Sequence, residues 1–149
     1  MGSLKLPATG VVYVDTSTII YLVEHVEPYA PVLGPLAQAA EEGRLKLTAS
    51  VLALLEALVK PLRDGNTVLA DVYRDALLHS NEFELLDVDE GVAERAAHLR
   101  ATNGLRTPDA IHAATALEQR AALFVTNDPA FGRVPGLPVA LLSECVTAE

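Results

Sequence analysis

The chain has 149 residues, 50% of them hydrophobic, no Trp, one Cys, and a formal charge of −9 from 20 acidic and 11 basic side chains. That length fits one compact domain burying roughly 68–70% of its unfolded surface, and the single Cys145 excludes an internal disulfide or a thiolate metal cage. The acidic balance argues against broad electrostatic attachment to nucleic acid, which depends on Lys and Arg; it fits a solvated surface, a basic partner, or an acidic cluster neutralised by cations.

The opening residues, MGSLKLPATG, are too short and too punctuated by Pro and Gly for a signal peptide, and a myristoylation pattern fails at Leu6. The apolar stretch after Gly10 is interrupted by Asp15 and Glu24, so it cannot span a membrane. A soluble protein is expected, and its cysteine usage fits a reducing cytoplasm. Residues 1–10 read as a short extension of a single domain, with the first and last few residues the expected mobile ends.

Val11–Val14 reads as a buried strand ending at Asp15, after which Thr16 or Ser17 can cap a helix to about His25. Pro28 opens a helical stretch to Glu42 with Gly43 as its stop, and Gly34-Pro35 predicts a kink or break. Leu45–Thr48 is a second strand, followed by an Ala- and Leu-rich helix capped by Ser50 and ending near Pro61–Gly65. Its apolar character runs almost all the way round from Val51 to Val59, which predicts burial on two sides and fits a face for a second copy of the chain or a groove for a partner helix. Asn66–His79 has helical spacing, Phe83–Val88 alternates like a strand, and Asp89 caps a helix closed by Asn103-Gly104. Thr107 caps the next helix with Pro108 at its first position; Ala122–Val125 and Val139–Leu142 are the last strands. Strands separated by helices imply a mostly parallel sheet with helices on both faces.

Four acids stand out. Asp15, Asp109 and Asp128 follow strands or open helices, where open parallel sheets place ligands. Each also has an ordinary reading: a cap for Asp15, a dipole partner for Asp109, a turn for Asp128. Glu56 lies inside a helix on the face of Leu52 and Val59, with Ala49 and Ala53 leaving room beside it. A carboxylate beside an apolar stripe is costly unless paired or ligated. An exposed or Lys60-paired Glu56 is the alternative, and a cation site is the sharper reading. Two carboxylates ~4 Å apart repel by about 4 kcal/mol at an effective dielectric near 20, so such a cluster must take up protons or cations. All-oxygen ligands select hard ions such as Mg²⁺ or Mn²⁺, able to activate water for phosphoryl displacement.

These residues resemble the PIN-domain family, in particular the VapC-type toxins of type II toxin–antitoxin pairs. The resemblance is carried by VYVDTSTIIYLVE, TASVLALLEALVKPLRDG, AAHLRATNGLRTPDAIHAATALE and LFVTNDPAFGRVPGLPVALL, from about Val11 to Leu142. It implies a three-layer α/β/α fold with a mostly parallel four- or five-stranded sheet, and a Mg²⁺- or Mn²⁺-dependent endoribonuclease leaving a 5′-phosphate and a 3′-hydroxyl. The family's acidic quartet falls on Asp15, Glu56, Asp109 and Asp128. Its T/S-N-D element falls on Thr126 and Asn127, which could orient the site. Pro129 stands where many members carry a basic or small polar residue.

In the resulting hypothesis Asp15, Asp109 and Asp128 hold the metal or metals, and Glu56 is a further ligand or an orienter of water. Thr16 and Arg106 are supporting or substrate-binding candidates, although a surface arginine is the plainer reading of Arg106. His112 shares a helix face with Asp109 and is read first as a packed histidine; Asp87 and Asp89 are a strand end and a cap, and Cys145 is inert. The expected partners are RNA, a cognate antitoxin protein and a second copy of the chain, with no membrane. The alternative is a non-catalytic PIN-like binding module seating a partner in the acidic pocket. A phosphotransfer domain is disfavoured, because Ser17 stands where a dehalogenase-like phosphatase wants a second Asp, and no Lys follows Lys60 to serve a receiver-like site.

Overall fold

The β-branched run before Asp15 forms β1 (Gly10–Val14), the central strand of a five-stranded sheet. The computed structural model describes residues 3–146. After β1 come α1 (Thr16–Glu24), α2 (Tyr29–Glu41), β2 (Leu45–Ser50), α3 (Leu52–Arg63), α4 (Thr67–Leu78), β3 (Phe83–Leu86), α5 (Glu90–Asn103), α6 (Thr107–Glu118), β4 (Leu123–Thr126) and β5 (Val139–Leu141). The strand order is β3-β2-β1-β4-β5 and every pairing is parallel. The chain builds outward from β1 through β2 to β3, then returns to place β4 on the other side of β1. The order therefore reverses between β1 and β4, where open sheets leave a crevice at the strands' carboxyl ends.

Strand alternation divides the core into two layers. Val12 and Val14 point toward α1, α2, α3 and α4, joining Ile19, Leu33, Leu36 and Leu47. Tyr13 points the other way, toward α5 and α6, where it stacks on Phe124 with ring centroids 5.1 Å apart. Ala110, Ala113 and Ala114 give α6 a small-residue face that is fully buried, so it can approach the sheet and α5 closely. This is a three-layer α/β/α architecture. Leu4 also packs into the first core, fastening the extension; the expected mobile ends fall on residues 1, 2 and 147–149, which lie outside the described residues.

Several local expectations change. Asp15, rather than Thr16 or Ser17, caps α1, accepting the Thr18 N–H. Thr107 is the first residue of α6 and caps nothing; Arg106 holds the cap position without a capping side-chain bond. Ser50 stops short of the cap position, yet its Oγ still accepts the Leu52 N–H at 3.1 Å. The helix is not broken at Gly34-Pro35: α2 runs through Pro35. Pro35 removes the bond to the Pro31 carbonyl, but both residues face solvent, where water can replace it. The fold itself covers one side of α3 and leaves the second side, also expected to be buried, open to solvent. Ala53, Ala57 and Pro61 are covered, whereas Val51, Leu55, Val59 and Leu62 are exposed.

Candidate active site

The four acids expected from the sequence line one cleft of 330 Å³ at the β1–β4 switch point, with Thr16, Ser17, Tyr21, Arg106, His112, Asn127 and Phe131 completing its wall. Asp15 sits where β1 turns into α1 and is 6% exposed. Its Oδ1 accepts the Thr18 N–H at 3.1 Å, the Thr18 hydroxyl at 2.8 Å and the Ser17 hydroxyl at 3.1 Å. Its Oδ2 accepts the Thr126 hydroxyl at 2.5 Å. The capping reading and the site reading of Asp15 are thus the same fact: the helix start holds the carboxylate at the crevice.

Thr126 ends β4 and ties the two strands' rims together, since its oxygen also accepts the Asp128 N–H at 3.0 Å. Asp128 caps a short 3-10 helix, Pro129–Arg133, by accepting the Ala130 N–H at 2.9 Å. Asn127 braces the loop from behind, accepting the Ser143 N–H at 2.9 Å and donating to the Tyr21 hydroxyl at 3.4 Å. Asp109 lies in the first turn of α6, its side chain 15% exposed, and accepts from Arg106 Nε at 3.3 Å. Arg106 is itself 78% exposed, so this contact is a loose one.

Glu56 has a partner that sequence reasoning missed. Lys60 is turned away to Asp64, at 2.8 Å. The Glu56 Oε1 accepts instead from His112 Nε2 at 2.8 Å and from the Thr16 hydroxyl at 2.6 Å. Burial pushes the Glu56 carboxyl up, but the bonds from His112 and Thr16, with a smaller pull from Arg106, outweigh it and hold the group below the usual carboxylate range. His112, 3% exposed, is therefore more than a packed histidine. Behind it the Tyr13 hydroxyl lies 2.6 Å from Nδ1. The signals for these two were present but weak: His112 follows Asp109 at helical i, i+3 spacing, and Tyr13 hides a hydroxyl in an otherwise apolar strand.

The donor set suits a hard divalent cation: four carboxylates, no thiolate, and neutral oxygens between them. Glu56 Oε2, Asp109 Oδ1 and Asp128 Oδ2 accept no hydrogen bond from the described residues, so each is free to turn to a cation. Among the described residues no three His, Cys, Asp or Glu side chains are gathered tightly enough to form a ready-made cage. Mg²⁺ keeps much of its water and is commonly held by one or two carboxylates plus substrate phosphate, so a ring of spaced acids is compatible with it.

The model of the PIN domain family matches residues 12–137. The chain belongs to the PIN-domain family. PIN domains are in general nucleases, and the matched stretch carries all four acids of this cleft. This PIN domain is similar in structure to a chain of the VapBC2 complex from Rickettsia felis bound to a DNA fragment from its promoter, with a TM-score of 0.67, 19% identity, and coverage of 88% of this chain and 98% of that one. It is also similar to a chain of a toxin–antitoxin complex from Klebsiella pneumoniae, with a TM-score of 0.64, 25% identity, and coverage of 88% and 97%. For VapBC-5 from Mycobacterium tuberculosis the TM-score is 0.54 at 28% identity, with coverage of 91% and 98%. No curated protein sequence matches the PIN domain significantly. No helix among the described residues is long and apolar enough to cross a membrane.

Proposed function

We propose that this PIN domain is a Mg²⁺- or Mn²⁺-dependent endoribonuclease and the toxin of a type II toxin–antitoxin pair. The observation that carries the reading is the convergence of Asp15, Glu56, Asp109 and Asp128 on one cleft in a chain of this family. The similarity to chains of toxin–antitoxin complexes supports the toxin assignment.

Asp15, Asp109 and Asp128 would hold the cation, with Glu56 completing the set. A bound divalent cation would neutralise phosphate charge and lower the pKa of water for in-line displacement. Asp15 is held rigid by four donors, so its charge is fixed before substrate arrives. Thr126 keeps Asp15 and the Asp128 loop in register, and Asn127 fastens that loop to Tyr21. Thr16 and His112 hold Glu56 over the cleft. Arg106, exposed on the rim, can leave Asp109 for a phosphate oxygen. The net charge of −9 then ceases to oppose RNA binding, because phosphate meets the cation first.

The partners follow from surface chemistry. Val51 just ahead of α3, Leu55 and Leu62 on α3, and Val68 and Val72 on α4 leave large apolar side chains in solvent, and a second copy of the chain is the proposed cover. An antitoxin with a basic side chain reaching the acidic cleft would block it. A cytoplasmic location agrees with these partners.

Cleavage of RNA by the purified protein with Mg²⁺ or Mn²⁺, with and without EDTA, tests the activity. Cleavage that persists in EDTA, or full activity of Asp15→Asn, overturns it. The spacing of the acids, with no three gathered among the described residues, favours one other reading, a binding module that seats a basic partner. That module would bind Mn²⁺ or a basic peptide and leave every RNA intact.

A further inference from the structure

Tyr13 is fully buried, and no step of the proposed chemistry uses it. Strand alternation aims its ring at α6, and its phenolic oxygen receives the Ser50 backbone N–H at 2.9 Å. A phenol has one hydrogen to give. With the Ser50 amide already donating to the oxygen, the hydrogen needs an acceptor, and His112 Nδ1 stands 2.6 Å away. A hydrogen on Nδ1 would face the phenol with two donors and orphan its own hydrogen in a dry site, an arrangement buried polar groups avoid. Nδ1 therefore accepts, and the ring carries its hydrogen on Nε2, directed at Glu56 Oε1.

The chain of bonds ends in an asymmetry. His112 and Thr16 both donate to Oε1 of Glu56, while no described residue donates to Oε2. We propose that Tyr13 is a positioning residue which, by fixing the ring hydrogen of His112 on Nε2, pins Glu56 through one oxygen and leaves the other for a cation or its hydration shell. The proposal rests on the cation-site reading above. It also assigns His112: both ring nitrogens are committed, so the histidine lines the cleft without serving as a ligand or a base. Partners behind a ligand commonly set its orientation in this way, and their loss weakens metal affinity.

The test has two arms on the full chain. In metal-free protein, ¹⁵N NMR of the His112 ring should find the hydrogen on Nε2 and an unprotonated Nδ1 accepting a hydrogen bond; a hydrogen on Nδ1 overturns the proposal. Mn²⁺ affinity is then read from the EPR signal of free ion for wild type, Tyr13→Phe, His112→Gln and His112→Leu, each checked for folding by circular dichroism. Tyr13→Phe should weaken Mn²⁺ about tenfold, and His112→Leu by about 10–100-fold. His112→Gln, whose amide can place a donor where Nε2 stood, should recover most of the loss. Unchanged affinity in Tyr13→Phe overturns the proposal and leaves the cation site intact. Equal losses in His112→Gln and His112→Leu also overturn it, since they mark a packing role. A wild type that binds no Mn²⁺ overturns the cation-site reading and this inference with it.

Discussion

Replacing Asp15 by Ala should separate what this carboxylate does for folding from what it does for chemistry. The substitution removes the α1 cap and leaves the Thr18 N–H without its partner. The Thr18 hydroxyl is spared, because it already reaches the Val125 carbonyl at 3.0 Å. The Thr126 hydroxyl has no such second acceptor among its described bonds, and it is fully buried. A lost Asp cap costs about 1 kcal/mol and an orphaned buried hydroxyl about 1–3 kcal/mol, giving roughly 2–4 kcal/mol before compensation. Removing one negative charge from a cleft shared with Glu56, Asp109 and Asp128 works the other way, so the lower half of that range is expected. For a chain of this size about 2 kcal/mol corresponds to a fall in Tm of roughly 4–8 °C. Asp15→Asn keeps an oxygen for the Thr18 and Ser17 donors and should lose less. Thermal unfolding followed by circular dichroism in EDTA reads both variants free of cations. If Asp15→Ala melts at or above the wild-type temperature, charge repulsion outweighs the cap and the hydroxyl network, and the account of the site as held together before metal binds is wrong.

Other expectations concern the metal, the surface and the alkaline limb. Saturating Mn²⁺ should raise the Tm of wild type, by linkage to binding, and leave Asp109→Asn nearly unmoved; equal shifts in both would remove Asp109 from the ligand set. Lys60→Ala should change neither melting nor RNA cleavage measurably, because its exposed pair with Asp64 is independent of Glu56. Leu55→Glu should turn a dimer into a monomer by analytical ultracentrifugation, and a wild type that is already monomeric would count against the proposed interface. Burial, aided by the charges of Asp15 and Glu56 against the bond from Ser50, pushes the Tyr13 phenol up; burial and its bond to Glu24 push Tyr73 up. An unfolded phenol titrates near about 10, so the folded protein holds these protons more tightly and the resulting stability is whole below that pH and lost as pH climbs toward the folded values. Melting temperatures from pH 9 to about 12 should therefore fall, and less steeply in Tyr73→Phe.

Much of this arrangement was legible because periodicity and caps are local. The β1 run, the helix opened by Pro108 and the rim positions of Asp15 and Asp128 follow from residues a few places apart. Glu56 was recognisable as a carboxylate needing an explanation, but its partner lies 56 positions along the chain, beyond any helical spacing rule. Tyr13 was hidden for a different reason. In a buried strand a tyrosine reads as core, and only the register of β1 and the placement of α6 reveal what its hydroxyl meets. The helix through Pro35 misled the reading because a proline's cost depends on whether the freed carbonyl faces water.

The order of strands has a consequence for how a chain of this kind comes to exist. β1 is made first, but its neighbour β4 is made more than a hundred residues later, with Val12 beside Leu123. Asp15 and Thr16 are therefore made long before the His112, Thr126 and Asp128 that they meet in the cleft. Non-local parallel pairing of this kind is slow, since the loop it closes is long. A ribosome-bound fragment that stops before β4 carries Asp15, Glu56 and Asp109 but lacks Asp128 and the Thr126 hydroxyl that holds Asp15. The complete acidic set therefore exists only once β4 and the loop after it have been made.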